Sequence, residues 1–373
     1  MPSDDPKSTP TTDFSASQGV FGLFPSEIGE VIAGAGLPTF RADQLRQWLY
    51  GKFVNDPAQM TTFAEADRTR LGEIFDLTPG KIVREQVSQD GTRKLLVEWK
   101  RPGWPEPATT ECVMIPDHDR RTACVSSQVG CPVGCKFCAS GLNGLKGNLE
   151  AAEIAFQIFL LNRMLAQFDG SRLTNVVFMG MGEPMSNYAN VMKAVRLMHD
   201  QKCHGLGARR ITISTVGVPA KIRELAGESL PINLALSLHA PNEQLRRQLI
   251  PWANHFSLDE ILDACRFYFD QTGREIMLEY ILLHEVNDRP EHARELVKVC
   301  KTLRSTVNLI RYNEVEGLPF VRPETNAMLT FQAILRDAGV IAHVRKSRGR
   351  DIDAACGQLR RKAQQELVQL GKA

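Results

Sequence analysis

Residues 124–138 read CVSSQVGCPVGCKFC, and the fold and chemistry of the whole chain can be worked outward from them. Cys131, Cys135 and Cys138 form a CxxxCxxC triplet, with Cys124 seven residues upstream. Gly130, Pro132 and Gly134 fall between and beside the thiols, so the segment reads as a loop that curls its sulfurs toward one point. Soft thiolates select iron–sulfur clusters, zinc or copper. A closed zinc site usually draws two ligands from each of two knuckles, and no second CxxC and no HxxxH exists to complete one. Three cysteines without a local fourth ligand suit a [4Fe–4S] cluster with one iron open to a small molecule. Phe137, beside the last thiol, would shield it from water. A zinc knuckle completed by a distant Cys or His is the alternative.

With 373 residues, 43% of them hydrophobic, the chain can bury a substantial core spread over two or three domains. A net charge of +2 does not announce a nucleic-acid binder, so any RNA contact must come from local basic patches. No stretch approaches the roughly 20 apolar residues of a membrane helix. The opening residues, MPSDDPKSTPTTDFSASQ, lack the apolar centre of a signal peptide and read as a disordered tail over 1–18. Nine cysteines, odd in number and partly tied up in the triplet, fit a reducing cytoplasm better than a disulfide framework.

Residues 19–78 alternate apolar and charged positions at helical spacing, which predicts a small helical domain. Within it, Trp48 and Tyr50 read as core residues rather than base-stacking ones. The pattern changes to strands over 79–115, predicting a β extension with a turn at Gln89–Gly91 and another over 101–107. Strands and helices then alternate, as in parallel β/α units. Strands are expected at 122–127, 175–179, 210–214, 232–238, 275–283, 306–312 and 341–344. Helices are expected at 151–167, 190–201, 258–271, 291–303 and 325–337, and a C-terminal tail at 360–373. Six or so such units cannot complete an eight-stranded barrel.

Ligands of parallel β/α folds gather at the carboxyl ends of the strands. The cysteine loop follows the first of these strands and Gly180-Met181-Gly182-Glu183-Pro184 the second. Ser214 closes the third, Ser237-Leu238-His239 the fourth, and Asn313 follows the sixth. All five fall on one rim. Gly182 lets the backbone pass close to a ligand, and Glu183 can accept from an amino group. Far downstream, Cys356 stands among Ala354, Ala355 and Gly357, small neighbours that leave its sulfur approachable. Arg345, Lys346, Arg348 and Arg350 lie just before it, a cationic run that can lower a thiol pKa or hold phosphates.

These residues together resemble the radical S-adenosylmethionine (SAM) superfamily and, more narrowly, the RlmN/Cfr family of RNA-adenine methyltransferases. The resemblance rests on CVSSQVGC, CxxxCxxC, FMGMGEPMSNY, ALSLHAPN and RGRDIDAACGQL, and covers residues 40–359. It implies an α/β fold: a partial (β/α)6 radical SAM barrel over 116–359, preceded by an RNA-binding helical appendage. It also implies a [4Fe–4S] cluster on Cys131, Cys135 and Cys138, and SAM held by Gly182, Glu183, Ser214, Ser237, Leu238, His239 and Asn313. Two SAM molecules are consumed per turnover. In the scheme so implied, Cys356 takes a methyl group from one SAM and carries it, as a methylene radical, to carbon-2 of an adenine. Cys124 then releases the product by forming a disulfide with Cys356, and Glu111 is a candidate proton acceptor.

The implied substrates are the peptidyl-transferase loop of 23S rRNA and the adenine beside the tRNA anticodon. A reducing partner such as flavodoxin, a monomeric state and a cytoplasmic location go with them. The chain departs from the family at TTFAEAD, which lacks an expected Lys, at Lys146-Gly147, and at Arg311 and Glu314, where relatives carry Arg or Pro. Other readings are carbon-8 methylation of the Cfr type, a non-catalytic RNA-binding protein with a structural metal, and a radical SAM enzyme for a small molecule.

Overall fold

The computed structural model describes residues 18–102, 104 and 107–359. The predicted C-terminal tail, and the predicted N-terminal tail apart from Gln18, lie outside the described residues. The N-terminal region folds as three short helices, α1 (Pro25–Gly34), α2 (Phe40–Arg46) and α3 (Glu65–Ile74), with one π-helical turn at Gln47–Gly51. Trp48 and Tyr50 are buried in its core, as expected, and the Trp48 indole N–H donates to Thr62 Oγ1 at 2.8 Å. Phe21 carries the core onward, its ring 4.8 Å from those of both Phe156 and Phe159.

A ten-stranded sheet follows, its strands side by side in sequence order. They are β1 (Gly80–Val87), β2 (Arg93–Trp99), β3 (Ala108–Asp117), β4 (Arg120–Cys124), β5 (Asn175–Phe178), β6 (Ile211–Thr215), β7 (Asn233–Ser237), β8 (Ile276–Leu282), β9 (Ser305–Arg311) and β10 (Ala342–Arg345). β4 through β10 pair in parallel. β1 through β4 pair antiparallel, so the predicted β extension continues the main sheet instead of standing apart from it.

The crossovers carry α4 (Ala151–Phe168), α5 (Tyr188–His199), α6 (Pro219–Ala226), α7 (Glu243–Leu249) with α8 (Leu258–Thr272), α9 (Pro290–Lys301) and α10 (Thr325–Asp337). Six β/α units and a final strand therefore make the expected partial barrel. β1 and β10 remain at opposite edges and leave it open among the described residues.

Local chemistry explains the elements. β8 reads IMLEYIL, a nearly continuous apolar run, because a parallel strand is covered on both faces. α4 is apolar almost all round because it packs against the Val20–Gly22 turn, α5 and β3. Ser257 and Glu260 form a capping box at the start of α8, and Gly273, at φ 67°, ends it. Helices α6 and α7 were not expected; each spans only about two turns, too short for a clear periodicity. Also unexpected is the ribbon in which Gln128–Gly130 pairs with Leu145–Asn148, closing the base of the cysteine loop. Lys146-Gly147, read as a rim-loop departure, belongs to that ribbon.

Candidate active site

The cysteine loop is held before it begins. Beyond the end of β4, the Gln157 side-chain amide accepts from the Ser126 N–H and donates to its carbonyl, both at 2.9 Å. Ser126 Oγ donates to the Glu111 carbonyl at 2.7 Å and accepts from the Met181 N–H at 2.9 Å, joining β3, the loop and the turn after β5. Asn187 Nδ2 donates to the carbonyls of Ser127 and Leu149, pinning both ends of the excursion. Such two-sided bonds satisfy buried backbone groups where the chain leaves the sheet.

Cys131, Cys135 and Cys138 then line one cavity of about 830 Å³, open mouth included. Burial pushes each thiol up, Cys131 to about 12, and the three feel one another's charge. Three soft thiols carried on one short loop and lining one cavity are a donor set that suits a [4Fe–4S] cluster.

Gly182, Glu183, Ser214, Ser237 and His239 line the same cavity. Glu183 is buried, with Oε1 accepting from the Met185 N–H at 3.0 Å and Oε2 from the Val216 N–H at 2.9 Å. Burial raises its carboxyl, against these hydrogen bonds and the charge of Arg246. Gly182 has φ 105°, and a Cβ there would stand 2.6 Å from Gln128 Cβ; at Gly180 a Cβ would stand 2.6 Å from the Val125 carbonyl oxygen. These glycines thus let the turn pack against residues 125–128, a different reason from the close ligand approach read in the sequence.

Ser214 Oγ and Ser237 Oγ lie 3.2 Å apart. His239 is held at φ 57°, and its Nδ1 accepts from the Ile281 N–H at 3.1 Å, which leaves Nε2 as the protonated nitrogen. Burial, helped by Arg246, holds its imidazole at about 3, so it is neutral at physiological pH. Leu238 turns into the hydrophobic core and does not line the cavity.

A second cavity adjoins the first and is lined by Cys124, Cys356, Asn313, Arg345, Lys346 and Arg348, among others. Asn313 therefore stands with the outlying cysteines, its Oδ1 accepting from Arg322 at 3.1 Å. Cys356 and Arg345 border both cavities. Arg345 pairs with buried Glu279 at 3.3 Å. The Cys124 thiol is pushed up to about 12, by burial first and then by the nearness of Cys356, against Arg345. The remaining cysteines, Cys112, Cys203, Cys265 and Cys300, are buried in the core.

Glu111 lines neither cavity. It is buried in an ion pair with Lys94, Nζ to Oε1 3.0 Å, and the same Nζ donates to the Asp353 carbonyl at 3.1 Å. The Cys356 loop is clasped further by the β1–β2 turn. Ser88 Oγ and the Gln89 N–H donate to the Asp351 carboxylate, and the Gly349 N–H donates to Asp90 Oδ2. The departures Arg311 and Glu314 also anchor chain: Arg311 donates to the Pro323 carbonyl, and the Glu314 carbonyl accepts from Gln358. Sequence reading missed Lys94, Gln128, Arg246 and Glu279, whose partners lie far along the chain and leave no periodic signal.

Comparison with known proteins adds the following. The profile of the Radical SAM superfamily matches residues 125–297. That of the ribosomal RNA large subunit methyltransferase N-terminal domain matches residues 19–77. A probable dual-specificity RNA methyltransferase RlmN of Thermotoga neapolitana is 43% identical over 338 residues, 90% of this chain and 95% of its own. The dual-specificity RNA methyltransferase RlmN of Marinobacter nauticus is 42% identical over 87% of each. The crystal structure of a radical SAM methyltransferase from Sphaerobacter thermophilus superposes with a TM-score of 0.88 at 42% identity, covering 92% of this chain and 99% of that one.

Proposed function

Because the chain belongs to the RlmN family of radical SAM methyltransferases, which work with a [4Fe–4S] cluster and SAM, we propose that it methylates carbon-2 of adenine in RNA. The substrates are the peptidyl-transferase loop of 23S rRNA and the adenine next to the tRNA anticodon. One observation carries this reading: Cys356 borders the cavity of the thiol triplet and also the cavity that holds Cys124. A methyl-carrying thiol must meet the methyl donor on one side, and the base and the resolving thiol on the other.

When bound, the cluster supplies one-electron cleavage of SAM, the radical chemistry that an unactivated ring carbon requires. Cys131, Cys135 and Cys138 hold it. Glu183, already fixed by two backbone N–H groups, is aimed to receive the SAM ammonium, while Ser214 and Ser237 bond its carboxylate or ribose. His239, neutral, donates from Nε2. Asn313 completes this set from the neighbouring cavity.

Cys356 Sγ takes the methyl group from one SAM by displacement, with S-adenosylhomocysteine as the leaving group, and would present its carbon to the adenine, where a carbon–carbon bond forms and the ring hydrogen leaves as a proton. Cys124 Sγ then attacks Cys356 Sγ, forming the S–S bond as the carbon–sulfur bond to the RNA breaks and a proton completes the new methyl group; two electrons and two protons, the electrons from a reductant such as flavodoxin, restore both thiols. Glu111, locked to Lys94 away from both cavities, is better placed to hold the Cys356 loop than to deprotonate the ring. The Arg345–Arg350 run lies beside the second cavity, where it can meet RNA phosphates. A flipped, unstacked adenine is the substrate form that this cavity can admit.

We place the enzyme as a monomer in the cytoplasm, where its cysteines stay reduced apart from the Cys124–Cys356 disulfide of the catalytic cycle. No helix among the described residues is long and apolar enough to cross a membrane. The test is methylation of rRNA and tRNA by anaerobically reconstituted protein, with the site mapped by mass spectrometry. Adenine-C2 methylation that disappears in Cys356→Ala supports the proposal; carbon-8 product, or none from the wild type, refutes it.

A further inference from the structure

Arg246 lies on α7, behind the cysteine loop, and only 1% of it is exposed. Its guanidinium donates to the Val216 carbonyl, while its Nε has no partner among the described residues. Glu183 and Glu243 are near enough to be felt, but among the described residues neither is in an ion pair with it: Glu243 pairs with Arg247 and accepts from the Leu258 N–H, and Glu183 accepts from Met185 and Val216. A buried cation without a directly paired anion is costly unless something in the working protein balances it.

The surroundings show what that is. Val133, Phe137, Leu249, Ile250 and Ala253 form one apolar cluster against which Cys131, Cys135 and Cys138 pack. The Lys136 N–H donates to the Leu249 carbonyl at 3.0 Å, tying the cysteine loop to the end of the helix that bears Arg246. The positive charge is felt at Cys135, at Glu183 and at His239. An iron–sulfur cluster held by three thiolates is anionic, and its loop sits against this cation in a medium that screens little.

We propose that Arg246 is the built-in counter-charge of the cluster, a positioning residue that makes one-electron reduction easier and couples cluster loading to stability. This rests on the cluster reading above. Adding an electron raises the negative charge, and a fixed cation close by favours that change. In the apoprotein the same cation has no directly paired anion, so filling the loop should stabilise the native chain more than it would without Arg246.

The test compares wild type, Arg246→Gln and Arg246→Lys after anaerobic reconstitution, by iron and sulfide content, by redox titration followed by electron paramagnetic resonance, and by melting with and without cluster. Arg246→Gln keeps an N–H donor for Val216 but no charge. Its reduction should be at least tenfold less favourable, a fall of about 59 mV for a one-electron couple. Arg246→Lys should stay near wild type, and loading should raise Tm less in Arg246→Gln than in wild type. Equal midpoints and equal gains in Tm for wild type and Arg246→Gln overturn the proposal. If Arg246→Gln takes up no cluster, apoprotein melting decides: at or above wild type supports the proposal, below it refutes it. A wild type that binds neither iron nor sulfide refutes the cluster reading itself.

Discussion

Lys94→Met removes a cation from a pair whose side chains are 6% (Lys94) and 1% (Glu111) exposed. The Glu111 carboxylate, 3.0 Å from Nζ, would be left charged in the interior. Breaking a buried pair from one side costs about 3–5 kcal/mol, a large share of a typical total of about 5–15 kcal/mol. At about 2–4 °C per kcal/mol, Tm should fall by about 6 °C or more. The same substitution removes the donor to the Asp353 carbonyl, three residues before Cys356, so methyl transfer to Cys356 should slow as well.

The double variant Lys94→Met/Glu111→Leu separates the two effects. With the buried carboxylate removed as well it should regain most of the lost stability, yet its Cys356 loop still lacks the tether. Urea and thermal melts give the first quantity, and mass spectrometry of the Cys356 peptide after a single turnover with SAM gives the second. A Lys94→Met protein within about 1 kcal/mol of wild type would show that the pair contributes little. Full recovery of Cys356 methylation in the double variant would show that the tether does not position the loop.

Cys124→Ala should leave Cys356 methylation intact but trap a covalent protein–RNA adduct on a denaturing gel; free product released at the normal rate would remove Cys124 from the scheme. Gly182→Ala forces a side chain at φ 105° into Gln128 and should weaken SAM binding by at least tenfold in calorimetry, with the fold retained by circular dichroism. Burial alone would raise the Asp90 carboxyl, but hydrogen bonds from Thr92, from the Gly349 N–H and from Ser88 outweigh it and hold the group at about 2. A carboxyl depressed in the folded state adds stability above its ordinary value of 3.8 and loses it as pH falls toward 2. Wild type should therefore lose stability across that window more steeply than Asp90→Asn, and parallel acid-unfolding curves would dismiss the clasp.

The parallel core was legible because most of its strands are short apolar runs, several of them followed by an amphipathic helix, a local pattern. Much of the rim was legible for a related reason, since residues just past a strand end lie near the mouth, although Leu238 turns into the core. Trp48 was correctly read as core from its helical face. The ribbon at 128–130 and 145–148 was not, since QVG and LKGN carry neither alternation nor β-branched runs. Gly182 lines the cavity, and it also accommodates Gln128 on another strand exit, a neighbour that spacing along the chain does not reveal. Asn313 follows its strand as expected but faces the outlying cysteines. Lys94, Glu279 and Arg246 derive their importance from partners that only the folded chain brings near.

The clasp between the β1–β2 turn and the Asp351 segment joins residues 263 positions apart. A ribosome therefore synthesises the sulfur triplet and the first strands long before Cys356, the thiol proposed above to carry the methyl group. Until translation reaches that residue the nascent polypeptide holds the triplet without its partner, so the clasp can close only late in synthesis.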